Sequence, residues 1–181
     1  IDATLREART HLQNARMAEA MVACRQVLDS APENIDALYT LAVTQRMTRD
    51  IPAAIATLDQ LIAVDPSYGR AWQERGHCLR DSGRREDAIA AYQRAVTHNG
   101  ALVASWRMLS EMHGAAGRDG PADFARAQFT HLSQLPPELL SVASFIQEGR
   151  IFKAEQLCRA FLQSNGHHIE AMRLLAEIGM K

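Results

Sequence analysis

The sequence predicts an all-α fold, a right-handed superhelical solenoid of antiparallel helix pairs running through residues 1–181 as one array. Three observations predict it. Shifted by 34 residues the chain aligns with itself, so that Leu38, Trp72 and Trp106 share one column and Ala8, Ala42, Gly76 and Ser110 share another. Apolar residues recur at helical spacing inside each unit, and Pro or Gly punctuates the ends. The composition, 47% hydrophobic with only 6% aromatic, suits close-packed helices better than sheet.

The units follow in order. In 1–34, a first helix carrying Ala8 turns at Asn14-Ala15-Arg16 into a second with Ala20, Cys24 and Val27, ending at Pro32. In 35–68, Leu38 and Ala42 precede a turn at Arg49-Asp50, and Ala54, Leu58 and Leu61 lead to Pro66. Pro52 falls in the first turn of its helix, where a missing N–H costs nothing. In 69–102, Trp72 and Gly76 precede Ser82-Gly83, where Gly suits a left-handed helix end, and Ala88, Tyr92 and Ala95 lead to Gly100. In 103–137, Trp106 and Ser110 keep the register, whereas Ala125, Phe129, Leu132 and Pro137 fit only after a three-residue insertion in Gly117-Arg118-Asp119-Gly120-Pro121. The unit 138–166 is short, with a truncated first helix near Pro137 and then Ala154, Cys158, Phe161 and Gly166. A half unit, 167–181, carries Ala171, Met172, Leu175 and Ala176.

The columns have a packing cause. Where helices cross, a large side chain would hold the backbones apart, so Ala, Gly or Ser sits there, while Trp72 and Tyr92 fill the space beside the crossing. In the third unit Trp72, Gly76, Ala88, Tyr92 and Ala95 together resemble the signature of the tetratricopeptide repeat family. The resemblance covers essentially the whole chain and implies a protein-interaction scaffold. It departs from the family at Arg75, where Leu is usual and the stem must pack while the head reaches solvent, and at Gly100, where Pro is usual.

Chemistry is harder to find. No phosphate-cradling G-x-x-x-x-G-K-[ST], no HExxH and no nucleophile setting occurs, and Gly114, Gly117 and Gly120 belong to a helix end and turn. Cys24, Cys78 and Cys158 lie far apart without CxxC spacing, which predicts a reducing, cytoplasmic compartment and neither zinc nor a redox pair, and Cys24 and Cys158, in the column of Leu58 and Tyr92, read as buried apolar fillers. His11 and His113 read as core-edge fillers, and His167, His168 and Glu170 as exposed residues before a helix. The expectation is no catalytic residue, no cofactor and no metal. No apolar run reaches the roughly 20 residues that span a bilayer. A net charge of −1 gives no bulk attraction to nucleic acid or lipid. Among 20 basic residues only Lys153 and Lys181 are not Arg, which points to a GC-rich bacterial genome.

The remaining function is binding. The exposed faces of the first helices should line a concave groove with Asp36, Tyr39, Val43 and Arg46, then Arg70, Gln73, His77 and Arg80, then Ala104, Arg107 and Glu111. The peptide-binding set is Tyr39, Arg46, Arg70, Gln73, His77, Arg80, Arg107 and Glu111. Its arginines offer forks to carboxylates or phosphates, and the expected partner is a protein or peptide with an acidic or extended segment. The family's Lys and Asn clamp for chaperone tails is absent from this face, and the mixed charge of Asp36, Arg46, Glu74 and Glu111 argues against nucleic acid. Residues 138–179 also resemble, more weakly, the repeat region of bacterial tetratricopeptide-repeat sulfotransferases. That resemblance implies a recruiting or oligomerising region of a larger enzyme. The chain starts at Ile1 without Met and is read as a piece of a longer polypeptide, with Met172 and Leu175 needing a cover from further repeats or from a second copy.

Overall fold

The computed structural model describes residues 1–181 as eleven helices and no strand. They are α1 (Asp2–Gln13), α2 (Met17–Ser30), α3 (Ile35–Met47), α4 (Ile51–Val64), α5 (Gly69–Asp81), α6 (Arg85–His98), α7 (Val103–Gly114), α8 (Asp119–Ser133), α9 (Pro137–Gln147), α10 (Ile151–Ser164) and α11 (Ile169–Gly179). They gather into two compact units, Ile1–Ala91 and Tyr92–Lys181, so α6 begins in one and ends in the other.

Helix starts keep the 34-residue period: α3, α5, α7 and α9 on one register, α2, α4, α6 and α8 on the other. The turn inside each pair recurs as well. Ala15, Arg49, Gly83, Gly117 and Gly149 all have φ between 57° and 73°. The next residue's N–H then reaches back to a carbonyl of the last turn, Arg16 to His11 at 2.8 Å, Asp50 to Gln45 at 2.9 Å and Arg150 to Phe145 at 2.8 Å. This is a Schellman end, which satisfies a carbonyl the helix would otherwise strand.

The fourth unit corrects the expected insertion. Gly117 takes the same left-handed turn, α8 starts on register at Asp119, and Ala122, 1% exposed, stands in the column of Ala20, Ala54 and Ala88. What changes is the far face of α8. Where Cys24, Leu58 and Tyr92 are fully buried, α8 carries Arg126 with its side chain 63% exposed. The column therefore fails in the sequence while the backbone keeps its period. The shortening falls in α9, which is 11 residues long, and α10 and α11 start two residues early.

In the first unit, α1 packs on α2, α2 on α3, α3 on α4 and α4 on α5. Leu38, Ala42, Ala54, Leu58 and Leu61 form its central apolar cluster. Asn34 caps α3 by accepting from Ala37 N at 2.9 Å, and Asp50 caps α4 from Ala53 N at 3.3 Å. Trp72 is only half-buried: its indole Nε1–H donates to the Pro66 carbonyl at 2.9 Å, tying the inter-unit loop to α5. Arg75 lies 6.0 Å over the Trp72 ring and pairs with Asp59 at 2.9 Å.

In the second unit α7 packs on α8, and α9, α10 and α11 pack on one another around Leu139, Val142, Cys158 and Leu174. Trp106 repeats the loop tie, donating to Gly100 O at 2.9 Å. A buried polar knot fastens α9: Asn99 Nδ2 donates to Ser144 Oγ at 2.8 Å, and Ser144 Oγ donates to Glu148 Oε1 at 3.2 Å. His168 caps α11 through Nδ1, with the Phe161 ring edge-on at 5.2 Å.

Candidate binding face on the first helices

Position six of each first helix is buried in every full inner repeat: Thr40 is 4% exposed, Glu74 6% and Met108 5%. A carboxylate at such a position must find a cation, because an isolated charge out of water is costly. Glu74 finds it on the preceding first helix, where Arg46 Nε donates to Oε2 at 2.7 Å. The side chains are 23% exposed for Arg46 and 8% for Glu74. Burial raises the Glu74 carboxyl above its ordinary range despite the guanidinium. For Arg46, burial works to lower the pKa, and Glu74 more than offsets it.

The same face carries the other expected residues of the first unit. Tyr39 is half-buried with its ring edge-on to Tyr68 at 5.7 Å, and Arg70, Gln73 and His77 are half-buried along α5. Arg80, in the column of Arg46, is exposed and turns to its neighbour, with Nη2 2.7 Å from Asp81 Oδ1. Its column offers no acid like Glu74, since the next position six is Met108. A second link between first helices joins Arg9 of α1 to Asp36 of α3 at 2.9 Å. In the second unit Arg107 and Glu111 stand one turn apart on α7, 3.8 Å from each other and mostly exposed. Three arginines expected to offer open forks, Arg46, Arg80 and Arg107, thus already stand against carboxylates. The sequence reading placed Glu74 on the solvated surface and missed its pairing. The signal was present: no other first helix sets an acid at position six behind an arginine at position twelve.

The three thiols are buried, and burial pushes Cys24 and Cys78 up to about 11. A distinct apolar pocket of about 210 Å³ opens in the second unit between Val96, Trp106, Leu109 and Phe124. The corresponding places in earlier repeats carry polar pairs. Thr57 donates to Gln45 at 2.8 Å over one, and the Arg75–Asp59 pair covers the other. Gln93 of the third repeat and Leu109 of the fourth replace that pair, and the pocket opens beside Phe124, which is 60% exposed.

Family models for the tetratricopeptide repeat match residues 11–78 and 69–99. Residues 11–99 belong to the tetratricopeptide repeat family. The second match falls on the unit that holds Trp72, Gly76, Ala88, Tyr92 and Ala95. Among curated proteins, the small glutamine-rich tetratricopeptide repeat-containing protein 2 of Mycosarcoma maydis is 41% identical over 44 residues, 24% of this chain and 12% of that protein. The chain therefore spans a small part of that relative. Solved structures share the fold at low identity. PilF of Pseudomonas aeruginosa has a TM-score of 0.67 at 20% identity, covering 99% of this chain and 88% of PilF. MamA has 0.62 at 19% identity, covering 94% and 91%. MamA of Desulfovibrio magneticus RS-1, from residue 41 on, has 0.64 at 17% identity, covering 74% and 75%. No helix of this tetratricopeptide-repeat chain is long and apolar enough to cross a membrane.

Proposed function

We propose that this chain is a non-catalytic scaffold that holds an extended, acidic segment of a partner protein on the first-helix face of α3 and α5. Tyr39, Arg46, Arg70, Gln73, His77 and Arg80 are the contact residues, with Arg107 and Glu111 on α7 as a separate surface in the second unit. The observation that carries the reading is the pair of ion pairs, Arg9–Asp36 and Arg46–Glu74, that stitch one first helix to the next. They hold polar and aromatic side chains on neighbouring helices at fixed spacing, so binding pays less ordering entropy. Family membership supports the same role. Three buried thiols with no disulfide support a reducing compartment. None of the proteins named above is a sulfotransferase, and a recruiting role inside such an enzyme draws no support from them.

The test is partner capture with the wild-type chain beside Arg70→Glu/Arg80→Glu. Loss of an acidic partner is expected, and unchanged capture refutes the face. A second reading, self-association, is favoured by α11, where Ile169 is 80%, Met172 44% and Met180 82% exposed. Light scattering across a hundredfold dilution tests it, and a constant monomer mass refutes it.

A further inference from the structure

One period before the pocket of the second unit, the fold sets a polar pair against the same tryptophan column. Arg75 reaches from α5 to Asp59 on α4 at 2.9 Å, with its guanidinium 6.0 Å over the Trp72 ring. In the next repeat Trp106 keeps the ring, but Leu109 and Gln93 stand where Arg75 and Asp59 would be. Both charges are lost together, so the place becomes neutral. A second ring is gained: Phe124 stands in the column of Ala90 and meets Trp106 edge-on, with centroids 5.7 Å apart and planes at 76°. The result is a cavity of about 210 Å³ lined by these two rings and by Val96, with Leu109 and Ala125 as its buried part.

We propose that this pocket is the anchor site for one aromatic side chain with a polar edge, Tyr or Trp, carried by a partner protein. Size selects a single ring on a larger molecule. An apolar cavity of roughly 150 Å³ already takes a benzene ring, whereas pockets for free small-molecule ligands run from about 300 Å³ upward. Contacts elsewhere on the partner then supply the remaining affinity, as they do around other aromatic anchors. Charge argues against Arg or Lys: no carboxylate lines the pocket, and a cation entering it would leave water without a counter-ion. Shape favours a ring over a branched aliphatic group, because Trp106 and Phe124 already stand edge to face and a third ring extends that arrangement. The polar edge has partners at the mouth. Gln93 is exposed there, and Thr97 Oγ1 donates to the Gln93 carbonyl at 2.8 Å, which keeps its own lone pairs for an O–H or N–H. The site does not rest on the α3/α5 reading, since Trp106, Leu109 and His113 occupy a different side of α7 from Arg107 and Glu111.

The chain has two tryptophans, which supply an internal control. The Trp106 indole N–H lies at the pocket and donates to Gly100 O, while that of Trp72 donates to Pro66 O with Arg75 over its ring. The experiment is a proton–nitrogen NMR titration of the whole chain, following both indole signals. The probes are blocked Gly-Ser peptides carrying one central Tyr, Leu or Arg, and free p-cresol. The expected result is a saturable shift at Trp106 alone, with the Tyr peptide bound at least about threefold tighter than the Leu peptide and the Arg peptide not saturating. Leu109→Arg with Gln93→Asp rebuilds the polar pair and should abolish the shift. Phe124→Ala changes a side chain that stands mostly in water, so it should leave the melting temperature unchanged and weaken the Tyr peptide about fivefold. A Trp106 signal unmoved at about 10 mM Tyr peptide overturns the proposal, as do equal shifts at both indoles. Tighter binding of the Leu or Arg peptide overturns the assigned side chain. Undiminished binding in Phe124→Ala overturns the pocket even if the double variant fails to fold. A micromolar dissociation constant for p-cresol would make a free aromatic molecule the occupant and overturn the partner side chain as the source.

Discussion

Replacing Arg46 by Gln should cost far more than replacing Glu74 by Gln, although both remove the same ion pair. Glu74 is the deeper partner, 8% exposed against 23% for Arg46. Losing one member of a fully buried pair costs about 3 to 5 kcal/mol, and the partial exposure of Arg46 reduces that to about 2 to 3 for Arg46→Gln. Glu74→Gln instead leaves an acceptor for the guanidinium Nε and removes the buried charge, so its cost should stay below about 1 kcal/mol. The double variant should lie within about 1 kcal/mol of wild type, which gives a coupling energy of about 2 to 3 kcal/mol in magnitude. Urea unfolding followed by far-ultraviolet circular dichroism measures all four proteins. The pH dependence has a definite sign. Burial raises the folded-state pKa of Glu74 above its ordinary 4.5, and losing Arg46 raises it further. Such a group contributes stability that is fully present below the unfolded value and is lost as pH rises through the folded value. The Arg46→Gln deficit should therefore be small near pH 4.5 and grow towards pH 7. Equal costs for the two single variants, or a deficit independent of pH, would refute the claim that Glu74 is the costly charge.

Four further outcomes are expected. Ala15→Gly and Arg49→Gly should each stabilise by about 0.5 to 1 kcal/mol in thermal unfolding, because a left-handed non-glycine residue is strained and the other repeats use Gly there; a loss of stability would show that the side chains contribute more than the strain costs. Gly76→Leu should lower the melting temperature by overpacking a buried crossing, at about 1 to 3 kcal/mol, and an unchanged melting temperature would remove the packing account of the small column. Leu109→Arg with Gln93→Asp transplants the Arg75–Asp59 cover onto the open pocket and should lower the fluorescence of a bound naphthalene sulfonate dye, whereas undiminished fluorescence would place the dye elsewhere. At pH 8 a disulfide reagent should label Cys24 and Cys78 only on unfolding, since thiols pushed up to about 11 are about one part in a thousand thiolate there; rapid labelling of the folded chain would contradict their burial.

The repeat was legible because it is a local constraint repeated many times. A small residue at each crossing, as at Ala42, Gly76 and Ala54, is needed wherever two backbones approach, so the need prints itself at a fixed period. Turn chemistry was only partly legible: Ala15 and Arg49 occupy the same left-handed position as Gly83 and Gly117 without the residue that advertises it. The fourth repeat misled for a related reason. Ala122 and Ala125 stand one turn apart and are both buried, 1% and 2% exposed, so an alignment guided by alanine can slide by one turn. Arg126 on the exposed far face removed the neighbouring landmark that would have pinned it.

The binding face was legible as a set of positions and illegible as a set of states. Helical spacing places Tyr39, Arg46, Gln73 and His77 on first-helix faces whatever their neighbours do. Whether an arginine there is open depends on one residue of the next helix, and that is a contact between repeats. Position six decides it. Thr40 and Met108 need no counter-ion, whereas Glu74 recruits Arg46 and fixes its Nε. Arg80, in the same column with Met108 as the next position six, turns to Asp81 beside it. Two arginines that read alike in the sequence therefore differ in kind: one is held at Nε by a buried carboxylate of the next first helix, and the other pairs along its own helix at the surface.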